Sequence, residues 1–112
     1  MTTGVNVRRV TEFPLASQTA GTVNSGGSAV PESFTECNIF VNTTVLTGTL
    51  DVRYQISPDD GATWYTKQSV TQITATGLSL TTIVDGIGSY YRIQSVVATG
   101  PITRSVIVEF KR

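Results

Sequence analysis

A single antiparallel β-sandwich, jelly-roll-like and of about eight or nine strands, is the fold class this sequence predicts. Three observations carry that expectation. Thr, Ser, Val and Ile crowd the 112 residues, and β-branched side chains pack well on a pleated surface. No window shows apolar residues recurring at three and four positions, so helix is expected only as single turns. Short segments of period two recur every 8 to 12 residues or so between Gly, Pro and Asp turns, the spacing of sandwiches and jelly rolls.

Taken in order, residues 1–20 read as an N-terminal strand or flexible arm, and 21–33, "GTVNSGGSAVPES", as a mobile loop rich in Gly, Ser and Pro. The sandwich core is expected within 34–112, the whole chain forming one domain. "CNIFVN" places Cys37, Ile39 and Val41 on one face, with "TTVLTG" as a connection to the next strand. "TLDVRYQI" is the clearest strand, alternating Leu50, Val52, Tyr54 and Ile56 with Asp51, Arg53 and Gln55. "TWYTKQ", "VTQITA" and "LSLTTIV" follow, then a turn at "DGIGS". "YYRIQSVV" and "ITRSVIVEF" close the chain across "ATGP"; in the last strand Ile102, Val106, Val108 and Phe110 share a face that Arg104 interrupts.

Composition narrows the function classes. The formal charge is zero and only 14% of residues are charged, so no basic field attracts phosphate backbones and nucleic acid is not an expected partner. Histidine is absent, which removes the commonest general acid-base, zinc ligand and activator of Ser or Cys nucleophiles. Cys37 is the single cysteine, so no intrachain disulfide or thiolate cluster forms, and its period-two neighbours mark it as a core residue. No run approaches the roughly 20 apolar residues that span a bilayer. After Arg8 and Arg9 there is no apolar stretch of signal-peptide length. The expectation is therefore synthesis in a reducing cytoplasm, no membrane partner, no cofactor, no metal and no catalytic residue.

The stretch "SPDDGATW", Ser57 to Trp64, fits Ser-x-Asp-x-Gly-x-Thr-Trp at every defined position and looks like the Asp-box of sialidases and other β-propellers. A propeller needs at least four blades of about 40 to 50 residues, more than this chain holds. As physics the segment reads as a structural turn built on Ser57, Asp59, Gly61, Thr63 and Trp64: Pro58 fixes its φ, the carboxylates accept backbone N–H groups, and Gly61 permits positive φ. Trp64 is expected to lid the end of the sandwich core. Asp59 and Asp60 lack the alternating acidic spacing of an EF-hand calcium loop. The remaining carboxylates, Glu12, Glu32, Glu36, Asp51, Asp85 and Glu109, are scattered; two of them could in principle converge as a glycosidase pair, but the sequence does not place them together. Tyr65, Tyr90 and Tyr91 with Trp64 offer an alternative, a sugar-stacking platform, although Tyr91 and Ile93 fit an inward face.

One feature resists a purely structural account. Phe40 lies opposite Ile39 and Val41, Val96 opposite Tyr91 and Ile93, and Ile107 opposite Val106 and Val108, so each strand carries an apolar residue on its solvated side. Gathered on one sheet, such residues mark a subunit or partner contact. A surface low in charge and rich in Thr, Ser and Asn also suits packing against copies of itself, because little charge is desolvated.

Residues 49–77, "TLDVRYQISPDDGATWYTKQSVTQITATG", resemble a group of small β-sandwich proteins encoded in tailed-bacteriophage structural modules. That group shows a "TLDV" strand, an "SPDG-TW" turn and "FTQITATG". Here Asp60 lengthens the turn by one residue and Val70 takes the place of the usual aromatic. "SYYRIQSVV" and "TRSVIVEF", residues 89–97 and 103–110, are similar to the group's closing hairpin. The resemblance implies a non-enzymatic capsid decoration or cement protein on the virion surface, a homotrimer or other homo-oligomer, bridging major capsid protein subunits. In that setting Arg8 and Arg9, on the arm, are expected to meet acidic capsid residues. The alternative is a glycan- or host-surface-binding module of a tail, baseplate or head fibre.

Overall fold

The computed structural model describes residues 7–31 and 34–112. Nine strands make up its regular structure: β1 (Val7–Gln18), β2 (Gly21–Asn24), β3 (Ser28–Ala29), β4 (Glu36–Leu46), β5 (Leu50–Ile56), β6 (Tyr65–Ser69), β7 (Gly77–Ile83), β8 (Tyr90–Val97) and β9 (Ile102–Lys111). There is no helix among the described residues. One sheet has the order β1-β9-β4-β7, and the other β2-β8-β5-β6, with β3 also pairing β8. Every pairing is antiparallel, as a β-sandwich requires.

The chain alternates between layers, so most consecutive strands do not pair. Only β5 and β6 are joined as a hairpin within one sheet. β8 and β9, which resemble a closing hairpin in sequence, lie in opposite sheets. Their inner faces meet instead: Tyr91 of β8 packs edge-on against Phe110 of β9, ring centroids 5.0 Å apart, and stacks on Tyr54 at 5.5 Å. Burying three aromatics between two β-branched sheets supplies the large contact area that holds the layers together. Ile39, Val41, Val106 and Val108 line the first sheet, and Leu50, Val52, Ile93 and Val97 the second, all buried. Cys37 is fully buried among them, as its alternation predicts.

Of the two alternatives for residues 1–20, strand or arm, the strand holds for residues 7–18: β1 is an integral edge strand whose Phe13 enters the core; residues 1–6 lie outside the described residues. Three readings of the sequence are corrected. The expected mobile loop at 21–33 carries β2 and β3, fastened to β8 by Thr22↔Val96 and Ser28↔Tyr91. "TTVL" is not a connection: it continues β4 across a register shift between Thr43 and Val45. "VTQITA" is not a strand of its own: Val70 and Ile73 drop into the core, and Ile73 bridges Leu50.

Arg104 does sit on the inward face of β9, 4% exposed. Its guanidinium lies 4.3 Å from the Phe13 ring centroid, its Nε donates to Ser95 Oγ at 3.1 Å, and its terminal nitrogen donates to Gln18 Oε1. Ser95 Oγ also donates to Gln18 Oε1 at 2.7 Å, while Gln18 Nε2 donates to the Ser95 and Gly21 carbonyls, each at 3.1 Å. Burial lowers the Arg104 pKa from its ordinary value, because the charged form loses hydration. A buried cation is tolerated when its donors are satisfied. Here neutral oxygens from β1 and β8 do so, tying the edge strand to the opposite sheet.

Candidate functional site

The turn from Ser57 to Trp64 is built around one hydroxyl. Ser57 Oγ donates to Asp59 Oδ1 at 2.7 Å and accepts the N–H groups of Asp59 and Gly61 at 3.3 and 2.8 Å. Asp59 Oδ1 also accepts the Thr63 N–H at 2.8 Å, and the Ser57 N–H reaches across to the Tyr90 carbonyl at 2.9 Å. Asp60 and Gly61 are both left-handed, at φ 56° and 101°, where a glycine costs little. Hydrogen bonds to Ser57 and Thr63 hold the Asp59 carboxyl below its usual value. The motif's polar side chains thus spend their capacity on the turn itself. No group of three metal-ligating side chains occurs among the described residues.

Trp64 does not lid the core. It lies on the outer face of the second sheet, its ring 5.9 Å from Tyr90 and under the Arg92 guanidinium at 4.5 Å. Gly27 passes so close that a β-carbon there would sit 3.2 Å from the indole. The reason is the parity of β8: Tyr91 and Ile93 point inward, which sends Tyr90 and Arg92 outward to meet the turn. The four aromatics considered as a platform are therefore split. Tyr91 is buried, Tyr90 and Trp64 are half-buried against each other, and only Tyr65 is well exposed.

The other carboxylates among the described residues come from different strands and loops. Glu12 reaches inward and accepts a hydrogen bond from the Tyr91 hydroxyl; burial raises its pKa. Asp51 takes Gln72 at 3.3 Å, and Asp85 lies 4.0 Å from Lys67. Glu36 opens β4, and Glu32 lies outside the described residues. Glu109 is held by Asn38 and Arg9, which keep it below the usual carboxylate range.

The outer face of the first sheet is where exposed apolar residues gather. In register across the strands, Ile107 pairs with Phe40 and Phe40 with Leu80. One step along, Ser105, Asn42 and Leu78 form the next row. Phe40 is 37% exposed, Leu80 59% and Leu78 85%. A shallow groove runs between these rows, lined by Phe40, Asn42, Leu78, Ser105 and Ile107. On the other side a polar row closes the patch: Arg9 Nε donates to Glu109 at 2.8 Å, Asn38 Nδ2 donates to Glu109 at 3.1 Å, and Thr82 Oγ1 donates to Asn38 at 2.7 Å. Of the three outward residues singled out in the sequence, Phe40 and Ile107 are thus neighbours. Val96 is on the other sheet, half-buried between Thr22 and Asp51. Arg9 is engaged with Glu109, and Arg8 lines a separate cleft with Val10, Ser28, Val30 and Tyr91. Leu78 and Leu80 carry no distinguishing mark in the sequence, because what exposes them is that their strand is an edge.

No family model matches the chain, and no curated protein does. Solved structures do. In fold the chain resembles XepA. The match to the crystal structure of the PBSX exported protein XepA has a TM-score of 0.71 at 14% identity, over 93% of this chain and 36% of that one. The chain thus spans about a third of XepA's length. PirA superposes with a TM-score of 0.50 at 14% identity, over 95% of this chain and 93% of PirA. At these identities the likeness is one of fold.

Proposed function

We propose that this protein is a non-enzymatic structural component of a phage particle, a decoration or cement protein that docks on the outside of the head and reinforces contacts between major capsid subunits. The observation that carries the reading is the apolar outer face of the first sheet, Ile107, Phe40, Leu80 and Leu78, on which no other element packs among the described residues. A patch of this kind rimmed by polar residues is the usual mark of a protein contact. The resemblance of residues 49–77 to phage structural proteins supports a particle setting. So does the fold likeness to XepA, a phage-derived protein. A homo-oligomer engaging several weak capsid sites gains avidity without any strong single contact.

The test is add-back. Heads stripped of the protein are reloaded with wild type or with Phe40→Asp, and heat-induced DNA release is followed. Wild type is expected to raise the release temperature, and Phe40→Asp, at a position already partly exposed, to bind poorly and restore early release. Equal release with and without wild-type protein would refute reinforcement.

A further inference from the structure

We infer that β7 is a self-association edge: two copies of this chain pair β7 against β7 antiparallel, about a two-fold axis at Leu80, and join their first sheets into one eight-stranded sheet. This does not rest on the phage reading; it concerns the isolated protein in solution.

The argument begins with the other edges. β1 carries Arg8, Arg9 and Glu12, a proline at position 14, and two register shifts against β9. β6 is five residues long with Lys67 and a register shift opposite Tyr54 and Gln55. On the far side, β2 and β3 are four and two residues with a break between them. Charge, proline, bulges and shortness are the devices that keep sheet edges from pairing with other chains. β7, "GLSLTTI", has none: seven residues, no charge, no proline, and an unbroken register of seven pairs with β4. Among the described residues its backbone pairs only with β4, so its outer row of N–H and C=O groups is open.

A second copy suits this edge because β7 is neutral along its length and an apolar row runs up to it. With Leu80 opposite Leu80 of the copy, Ser79 faces Thr81 and Leu78 faces Thr82, in both directions at once, as an isologous contact demands. The row Ile107–Phe40–Leu80 stops at the free edge. The two-fold continues it through the copy's Leu80, Phe40 and Ile107, so that Leu80, 59% exposed in the single chain, meets its counterpart across the seam while the outer face as a whole stays open. Both strands are neutral, so the pairing buries no charge and sets no like charges opposite each other. A three-fold arrangement would leave this edge unpaired.

Sedimentation velocity over a concentration series tests the proposal. Wild type is expected to sediment as a dimer, and Leu80→Lys, which places like charges at the axis, to raise the dissociation constant by ~100-fold. The register has its own test. Leu80→Cys is expected to give a disulfide-linked dimer on oxidation, while Leu78→Cys gives none, because position 78 faces 82. Leu78→Lys is expected to weaken the dimer and the double variant Leu78→Lys, Thr82→Glu to recover it. A monomer at all concentrations, a trimer, or a dimer indifferent to Leu80→Lys would overturn the inference. A monomer whose add-back to heads is abolished by Leu80→Lys would assign the edge to a capsid strand instead, which also overturns it.

Discussion

The first sheet has two edges, β1 and β7, that differ in almost every property relevant to association. β1 is charged, bulged and interrupted by Pro14, and it is also fastened inward: Phe13 fills the core and Gln18 helps hold the buried Arg104. β7 is regular and neutral, and its outward leucines touch little. The same sheet thus spends its side chains on closing one edge and leaves the other open. Stability should therefore be concentrated at β1 and association at β7, and substitutions should separate the two.

The largest effect is expected at the fastened edge. Gln18→Ala removes the oxygen that both Arg104 and Ser95 use, leaving a buried guanidinium short of acceptors. A loss of about 3 kcal/mol in urea unfolding is expected, measured in the Leu80→Lys background so that dimerisation does not enter. A loss below ~1 kcal/mol would mean that β1 is not held by this network.

Glu12 should show the next effect, and with a defined pH sense. Burial raises its carboxyl above the ordinary 4.5, against the lowering hydrogen bonds from Tyr91 and Ser25. The folded chain therefore keeps a proton that the unfolded chain gives up. Stability from this group is fully present below pH 4.5 and is lost as pH rises through the raised folded value. Glu12→Gln is expected to be the more stable protein at pH 7, and the two curves should converge in acid. Thermal melts at a series of pH values check this; a wild type more stable than Glu12→Gln at pH 7 would reverse the assignment.

The smallest effect on folding belongs to the open edge. Leu80→Lys should change monomer stability by no more than about 0.5 kcal/mol, since the side chain is largely solvated already. Conversely, Arg8→Val with Arg9→Val should give β1 part of the stickiness of β7, seen as new concentration-dependent association in a Leu80→Lys background. Because Pro14 and the bulges remain, that association should stay weaker than the β7 pairing.

How much of this was legible in the sequence depends on whether a property is local. Alternation in Leu50–Ile56 and in Tyr90–Val97 gave the strands and their inward faces, because side-chain period is set by the strand itself. Ser57, Asp59, Gly61 and Thr63 gave the turn, since their hydrogen bonds span at most four residues. The direction of Trp64 was not legible: it depends on the parity of β8, some 26 residues on. Arg104 interrupted an apolar face in the sequence, but its partners Gln18 and Ser95 come from two other strands. Phe40, Val96 and Ile107 looked equivalent until strand order put two on one sheet and the third on the other. Strand order is a non-local property, and edge status, on which the candidate site turns, follows from it.

Two residues that occur once each have a practical consequence. Trp64 sits on the outside of the second sheet, beneath Arg92, and Cys37 is sealed within the first, its thiol pushed up to about 12 by burial and by nearby Glu36. A thiolate reacts only where it is exposed and ionised, so at neutral pH a sulfhydryl reagent should label Cys37 only when the layers part. Indole fluorescence reports one leaf of the sandwich and thiol labelling the other. Without any engineered probe residue, the chain carries its own pair of clocks for asking whether its two leaves open together or one before the other.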